Sequence, residues 1–342
     1  MNRRQPPSQG RSARDVPRRG SGRAVGYSPS SPAPAPRRMN PALTWSTALM
    51  LTIPPLMWAG NAVVGRLVGP LVPPMTLNFM RWALAFVVLL PLAAWVLRPG
   101  SGLYAHWRRY VLLGFLSVGL YNALQYLALQ TSSPMNVTLV GSSTPVFMLL
   151  VGVLFFGQRP QTRQGIGAAL SVLGVMLVLA HGDLSRLAEV QFVPGDVYML
   201  LATAAWAWYS WLLARREADP PAIRSDWAAF LLAQVVPGLA WSGGLAVGEW
   251  TLSNPAPIQW GWPLALALAY VALGPAVLAY RAWGLGVQRV GPNLAGLFAN
   301  LTPLFAAVLS AAFLGELPRW YHAVAFVLIA SGIAVSSLRP KT

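Results

Sequence analysis

No cysteine occurs among the 342 residues, which removes disulfides, thiolate metal sites and cysteine nucleophiles together and leaves the redox compartment unread. Acidic residues are almost as scarce: nine Asp and Glu stand against 25 Lys and Arg. None lies in the middle of a long apolar run. The three histidines, His106, His181 and His322, fall at the edges of apolar segments, so their spacing assembles no metal-ligand cluster and no cofactor is implied. Charged residues make up only 10% of the chain, too little polar surface to cover a soluble globule.

What is abundant is apolar. Hydrophobic residues reach 55%, there are 15 Trp, and the mean hydropathy is +0.51. Crossing a hydrocarbon core of roughly 30 Å takes about 20 apolar helical residues. Ten segments qualify, at about 43–65, 74–97, 110–130, 135–157, 164–181, 196–214, 227–248, 262–287, 292–315 and 320–338. The expectation is an all-α polytopic protein of ten transmembrane helices whose first partner is the lipid bilayer.

A net charge of +16 could suggest nucleic acid, but its placement argues against that. Residues 1–40 hold nine Arg and one acid in a Pro, Ser and Gly-rich tail without apolar period, which cannot bury enough surface to fold. Its prolines would break the amphipathic helix of an organelle transit peptide, and no apolar stretch precedes the first span as in a secretory signal. Met39 stands immediately before that span, so the tail is expected to be dispensable for insertion.

The sequence also repeats itself. Residues 130–174 align with residues 288–332 at a fixed offset of 158 and without a gap, matching Gln130/Gln288, Pro134/Pro292, Thr144/Thr302, Pro145/Pro303, Phe147/Phe305, Gly157/Gly315 and Gly174/Gly332. Two five-span halves are expected, 41–182 and 194–338. With the N-terminus inside, Arg98, Arg108, Arg109, Arg159, Arg163, Arg215, Arg216, Arg224, Arg289, Arg339 and Lys341 fall on the cytoplasmic side. Only Arg66, Arg186 and Arg319 fall opposite. The bias places both termini in the cytoplasm. Because five is odd, the second half enters the membrane upside down, giving an inverted 5+5 repeat. Such a repeat suits alternating access around a site near midplane, and so a transporter; a non-transporting scaffold or receptor is the alternative, and an intramembrane lipid enzyme would need a convergent Ser/His, paired-Asp or metal-binding His set that the spans do not show.

Several motifs carry a resemblance over residues 43–338. They are Trp58-Ala-Gly-Asn61 with Gly65-Arg66, Asn78-Phe79-Met80-Arg81, the Pro145 and Pro303 segments, Gly195-Asp196, Trp206-Ala207-x-Tyr209, and Leu314-Gly-Glu-Leu-Pro318. In order and spacing the chain resembles the drug/metabolite transporter superfamily, and within it the EamA-like transporters. The resemblance implies a secondary carrier, often an exporter of amino acids or other small metabolites. One departure is that the family commonly ends both the fourth and ninth spans with a glutamate, whereas here the ninth keeps Glu316 and the fourth has Gln158. A carboxylate at a helix C-terminus opposes the macrodipole, so Glu316 is expected to pair with Arg319.

The candidate solute contacts are mostly uncharged and aromatic. Trp58, Asn61 and Gly65 share a face of the first span, and the sixth repeats the start of that pattern with Trp206 and Tyr209. Tyr121 and Gln125 lie one turn apart in the third span, and Asn293 and Asn300 share a stripe in the ninth. Each amide has a structural alternative, since Asn and Gln also join helices by hydrogen bonds. Arg81 and Arg281, the latter beside Tyr280, are the charges within spans. Each is read either as an interfacial anchor or as a contact for an anionic group, because a charge at the bilayer centre costs about 2.5 to 3.5 kcal/mol. Pro145 and Pro303 free the carbonyls of Gly141 and Ala299 and are expected to bend their helices, with Thr144 and Thr302 among the nearby partners. These two helices are expected to move during transport. The lack of a mid-span carboxylate argues against direct proton coupling through one. Gly167, Ser171, Gly174 and Gly332 read as packing or homodimer surfaces.

Overall fold

The computed structural model describes residues 43–132, 134–314 and 319–338. The expected tail, Met39 and Glu316 lie outside the described residues, so the Glu316–Arg319 pair does too. Among the described residues there is no strand. The helices are α1 (Trp45–Val68), α2 (Pro74–Ala93, tightening to a 3-10 turn over Ala94–Leu97), α3 (Trp107–Gly114, Phe115–Tyr121 and Asn122–Thr131), α4 (Pro134–Gly141 and Thr144–Phe156) and α5 (Thr162–Leu179). The second half follows with α6 (Pro194–Ala214), α7 (Trp227–Leu252), α8 (Trp262–Val271, Ala272–Leu278 and Ala279–Val290), α9 (Pro292–Ala299 and Thr302–Leu314) and α10 (Trp320–Ser337). Nine stretches of described residues are long and apolar enough to cross a membrane, and α4 supplies the shorter apolar helix Thr144–Phe156. The ten expected spans are therefore all helical.

Irregularities recur in register between the halves. The middle of α3, Phe115–Tyr121, is wound as a π-helix, and so is Ala272–Leu278 of α8. Both α4 and α9 are interrupted rather than bent, because the residues before each proline satisfy the freed backbone with hydroxyls. Thr144 Oγ1 donates to Gly141 O and Thr302 Oγ1 to Ala299 O, each at 2.7 Å. Ser142 and Ser143 take the carbonyls of Leu139 and Val140 in the same way. With these carbonyls bonded, an open helix turn at membrane depth is tolerated.

The direction of the two halves follows from packing. A Cβ on Gly167, early in α5, would stand 2.5 Å from Gly332 O late in α10, and one on Gly174 would stand 2.9 Å from Ala325 O early in α10. The helices therefore run antiparallel in backbone contact, and only glycine permits that approach. At the offset of 158, Gly174 is the counterpart of Gly332 and Gly167 of Ala325. Each residue touches the counterpart of the other, as a two-fold axis across the helices requires. Helices α2 and α7 also run antiparallel: Thr76 meets Glu249 and Trp250 at one end, and Trp95 meets Asp226 at the other. The repeat is inverted.

Candidate functional site

Trp206 on α6 sits at the centre of a ring cluster where the two halves meet. Its ring lies 5.4 Å from that of Trp58 on α1, 5.2 Å from Tyr121 on α3, 5.1 Å from Tyr209, 5.6 Å from Tyr280 and 5.5 Å from Trp283 on α8. The approaches are edge-on or tilted, the geometry that quadrupoles favour. Trp58 and Trp206 open the similar patterns of the first and sixth spans, and their rings meet edge-on between the two halves. Trp283 is fully buried and Tyr209 and Trp206 nearly so.

Polar tips of these rings are fixed by the backbone and by amides. The Tyr209 hydroxyl donates to Gln234 Oε1 at 3.1 Å, Trp283 Nε1 donates to Ser210 Oγ at 3.1 Å, and the Tyr280 hydroxyl donates to Ser117 O at 3.2 Å. Asn78 Nδ2 donates to the next carbonyl, Val118 O, at 3.3 Å. Ser117 and Val118 belong to the π-helical turn of α3, whose widened winding leaves carbonyls for side chains of α2 and α8. Arg81 lies on the same side. Its Nη2 donates to Asn78 Oδ1 at 2.7 Å and its guanidinium stands 5.4 Å from the ring centre of Trp82, which in turn packs 4.9 Å from Tyr280. Arg81 is only 6% exposed, so it faces the interior of the bundle rather than lipid.

A cleft of about 100 Å³ leads toward this cluster from the arginine-rich ends of α6 and α8. Tyr209 and Tyr280 line its inner end, and Arg216, Arg224 and Arg281 line it nearer the surface. Arg281 is exposed and lies 4.3 Å over the ring of Trp227 at the start of α7. A second, wholly apolar groove of about 510 Å³ between α4 and α5 carries no polar side chain.

The sequence profile of the EamA-like transporter family matches residues 45–180 and again residues 193–338. The chain belongs to the EamA-like transporter family. It is accordingly a multi-pass membrane protein of a transporter family. Similar proteins include an uncharacterized transporter of Archaeoglobus fulgidus, 24% identical over 86% of this chain and 98% of that one. A probable amino-acid metabolite efflux pump of Salmonella typhimurium is 26% identical over 82% and 91%. The aromatic amino acid exporter YddG of Ancylobacter novellus is 24% identical over 64% and 72%. One solved crystal structure superposes with a TM-score of 0.67 at 24% identity, covering 85% of this chain and 96% of that one, and so shares the fold.

Within this EamA-like fold, five of the residues picked from sequence come together: Trp58, Tyr121, Trp206, Tyr209 and Tyr280. Asn61 and Gln125 are half-buried one turn beyond Trp58 and Tyr121. Asn300 is elsewhere. It donates to Ser142 O at 3.1 Å and to Ser171 Oγ at 3.0 Å, closing the gap between the interrupted helices and α5. Ser142 is its repeat counterpart. Thr144, Pro145, Thr302 and Pro303 form the two helix interruptions and not the ring cluster. Sequence reasoning missed Trp82, Trp283, Asn78 and Gln234. Asn78 and Gln234 could have been found as amides within otherwise apolar spans, but no pattern separates Trp82 and Trp283 from the other tryptophans.

Proposed function

We propose that the protein is a secondary transporter of the cytoplasmic membrane that exports a small organic solute, amino-acid-like or amphipathic, by alternating access, with both termini in the cytoplasm. One observation carries this reading: the Trp206 cluster joins helices of both halves, α1 and α3 to α6 and α8, and a cleft runs to it from the arginine-rich end of α6 and α8. A site between inverted halves can be exposed to either side by rocking one half against the other. The end that opens is the arginine-rich one, which the positive-inside rule assigns to the cytoplasm. Outward movement agrees with two relatives named as an efflux pump and an exporter.

Flux in proteoliposomes tests the function. Saturable counterflow of at least one solute from a panel of amino acids and small organic acids is expected, and a protein that moves nothing across that panel would overturn the proposal. Topology is tested separately, on a chain free of background thiols. A cysteine at exposed Asn254 should react with an impermeant maleimide in intact cells, whereas one at exposed Tyr104 should react only after permeabilisation. The opposite pattern, or labelling of both from one side, would refute the orientation.

A further inference from the structure

We infer that the preferred solute is an aromatic carboxylate lacking an amine, with Arg81 as its counter-ion. The inference rests on the transport reading above and narrows it to a substrate class. It starts from a buried charge that has no charged partner among the described residues. Arg81 is buried within the bundle, its Nη2 engages the neutral amide of Asn78, and its Nε has no partner among the described residues. A buried cation in low dielectric is stable only when paired.

The described acids are all committed elsewhere. Asp196 accepts from Ser132 Oγ and Val193 N, and Asp219 is ion-paired with Arg109 at 2.5 Å. Asp226 caps α7 and accepts from Trp95 Nε1, and Glu249 caps α2 through Met75 N and Thr76 N. Asp183, Glu189 and Glu217 are exposed in loops. Arg81 therefore waits for an anion from outside the chain. A guanidinium offers a planar fork that matches a carboxylate. Beside it, Trp82 Nε1 is a second buried donor without a partner among the described residues.

The route selects the rest of the solute. Arg216, Arg224 and Arg281 line the cleft, and no Asp or Glu does. A cleft of one sign in low-dielectric walls concentrates the opposite charge, so anions are drawn in and an ammonium is repelled. At the inner end stands Tyr280, whose ring packs on Trp82 next to Arg81. A solute that reaches Tyr280 at the inner end of the cleft meets, in order, the Tyr280 ring, the Trp82 ring packed on it and the Arg81 guanidinium beside Trp82, a sequence suited to an aromatic ring bearing a carboxylate on a short arm. An α-ammonium there would find no carboxylate among the described residues.

Two measurements test this on the purified full-length protein. Thermal shift reports binding of phenylacetate, indole-3-acetate, phenylalanine and phenylacetamide, and counterflow in proteoliposomes reports their transport. Phenylacetate and indole-3-acetate are expected to bind at least tenfold tighter than phenylalanine and phenylacetamide. Arg81→Gln should remove that preference, and Arg81→Lys, which keeps the charge, should retain it at several-fold weaker affinity. Equal binding of acid and amide by the unmodified protein, or an Arg81→Gln variant that keeps the preference, would overturn the inference. If Arg81→Gln does not fold, loss of the preference in Arg81→Lys together with tight phenylalanine binding would overturn it as well. Binding of the acids without flux of any solute would instead defeat the transport reading and leave the Arg81 assignment standing.

Discussion

Asn300 and Arg81 are both buried polar side chains, and they differ in what completes them. The amide of Asn300 has two partners on other helices, Ser142 O and Ser171 Oγ, so its hydrogen bonding is closed within the fold. Removing it would leave a carbonyl and a hydroxyl short of a donor at membrane depth, a loss of about 1 to 3 kcal/mol. Asn300→Ala is thus expected to lower the melting temperature in detergent and the membrane abundance together, with transport falling in proportion to abundance. An unchanged melting temperature with lost transport would restore Asn300 to the solute path. The contrast shows what was legible at this scale. Helical spacing brought Trp206 and Tyr209 together, their rings 5.1 Å apart, because a period reports which residues share a face. It cannot report which helix that face meets. Hence Asn300, on as good a stripe as any, turned toward α5, and Trp283, two residues from Arg281, packs on Trp206 and Trp58 in the cluster though it was not picked as a solute contact.

Between helices, α5 and α10 approach so closely along their length that glycine is required by geometry rather than by turn conformation. Gly332→Val would drive a branched side chain against Gly167 O, already 2.5 Å from where a Cβ would stand, so the pair must separate. Overpacking of this kind costs about 1 to 3 kcal/mol or more. The expected result is a lower melting temperature and less protein in the membrane; a variant as stable as the original would mean that α10 can shift freely. The ends of α2 and α7 are held differently. The Glu249 carboxylate takes Met75 N and Thr76 N, and Asp226 takes Ala228 N and Ala229 N, so each of these N-termini, at opposite ends of the pair, has a carboxylate where the helix dipole favours one. Spans and repeat were readable from the sequence because hydropathy and internal similarity record them directly. The helix breaks were half readable: proline marked the place, but the hydroxyls of Ser142, Ser143 and Thr144 turned an expected bend into a gap. The π-helical turns were not, since nothing in Phe115–Tyr121 distinguishes it from an ordinary apolar helix.

At the scale of the whole molecule, the inverted repeat converts one visible cleft into an expectation about a second. Tyr209 on α6 has Asn61 on α1 as its counterpart, and the cleft-lining part of α8 corresponds to the part of α3 that holds Gln125. Exchange of the two halves' conformations would close the cleft between α6 and α8 and open one between α1 and α3 on the other face, lined by Asn61 and Gln125. On the proposed alternation, these two half-buried amides would line that second cleft. The inner route can be blocked without harming the fold: a Cβ on Gly284, in the cleft wall, meets nothing within 4 Å, whereas one on Gly286, two residues on, would enter the Leu51 side chain of α1. Gly284→Leu is therefore expected to keep abundance and melting temperature while lowering flux at least tenfold, and Gly286→Leu to lose abundance itself. Normal flux through Gly284→Leu would take the cleft off the path. For the opposite face, Gln125→Cys should react with an impermeant maleimide from outside several-fold faster while solute is being transported, because turnover populates the state in which α1 and α3 part. A rate indifferent to transported solute would mean that the second cleft never opens, and that the symmetry of the fold is not used in its motion.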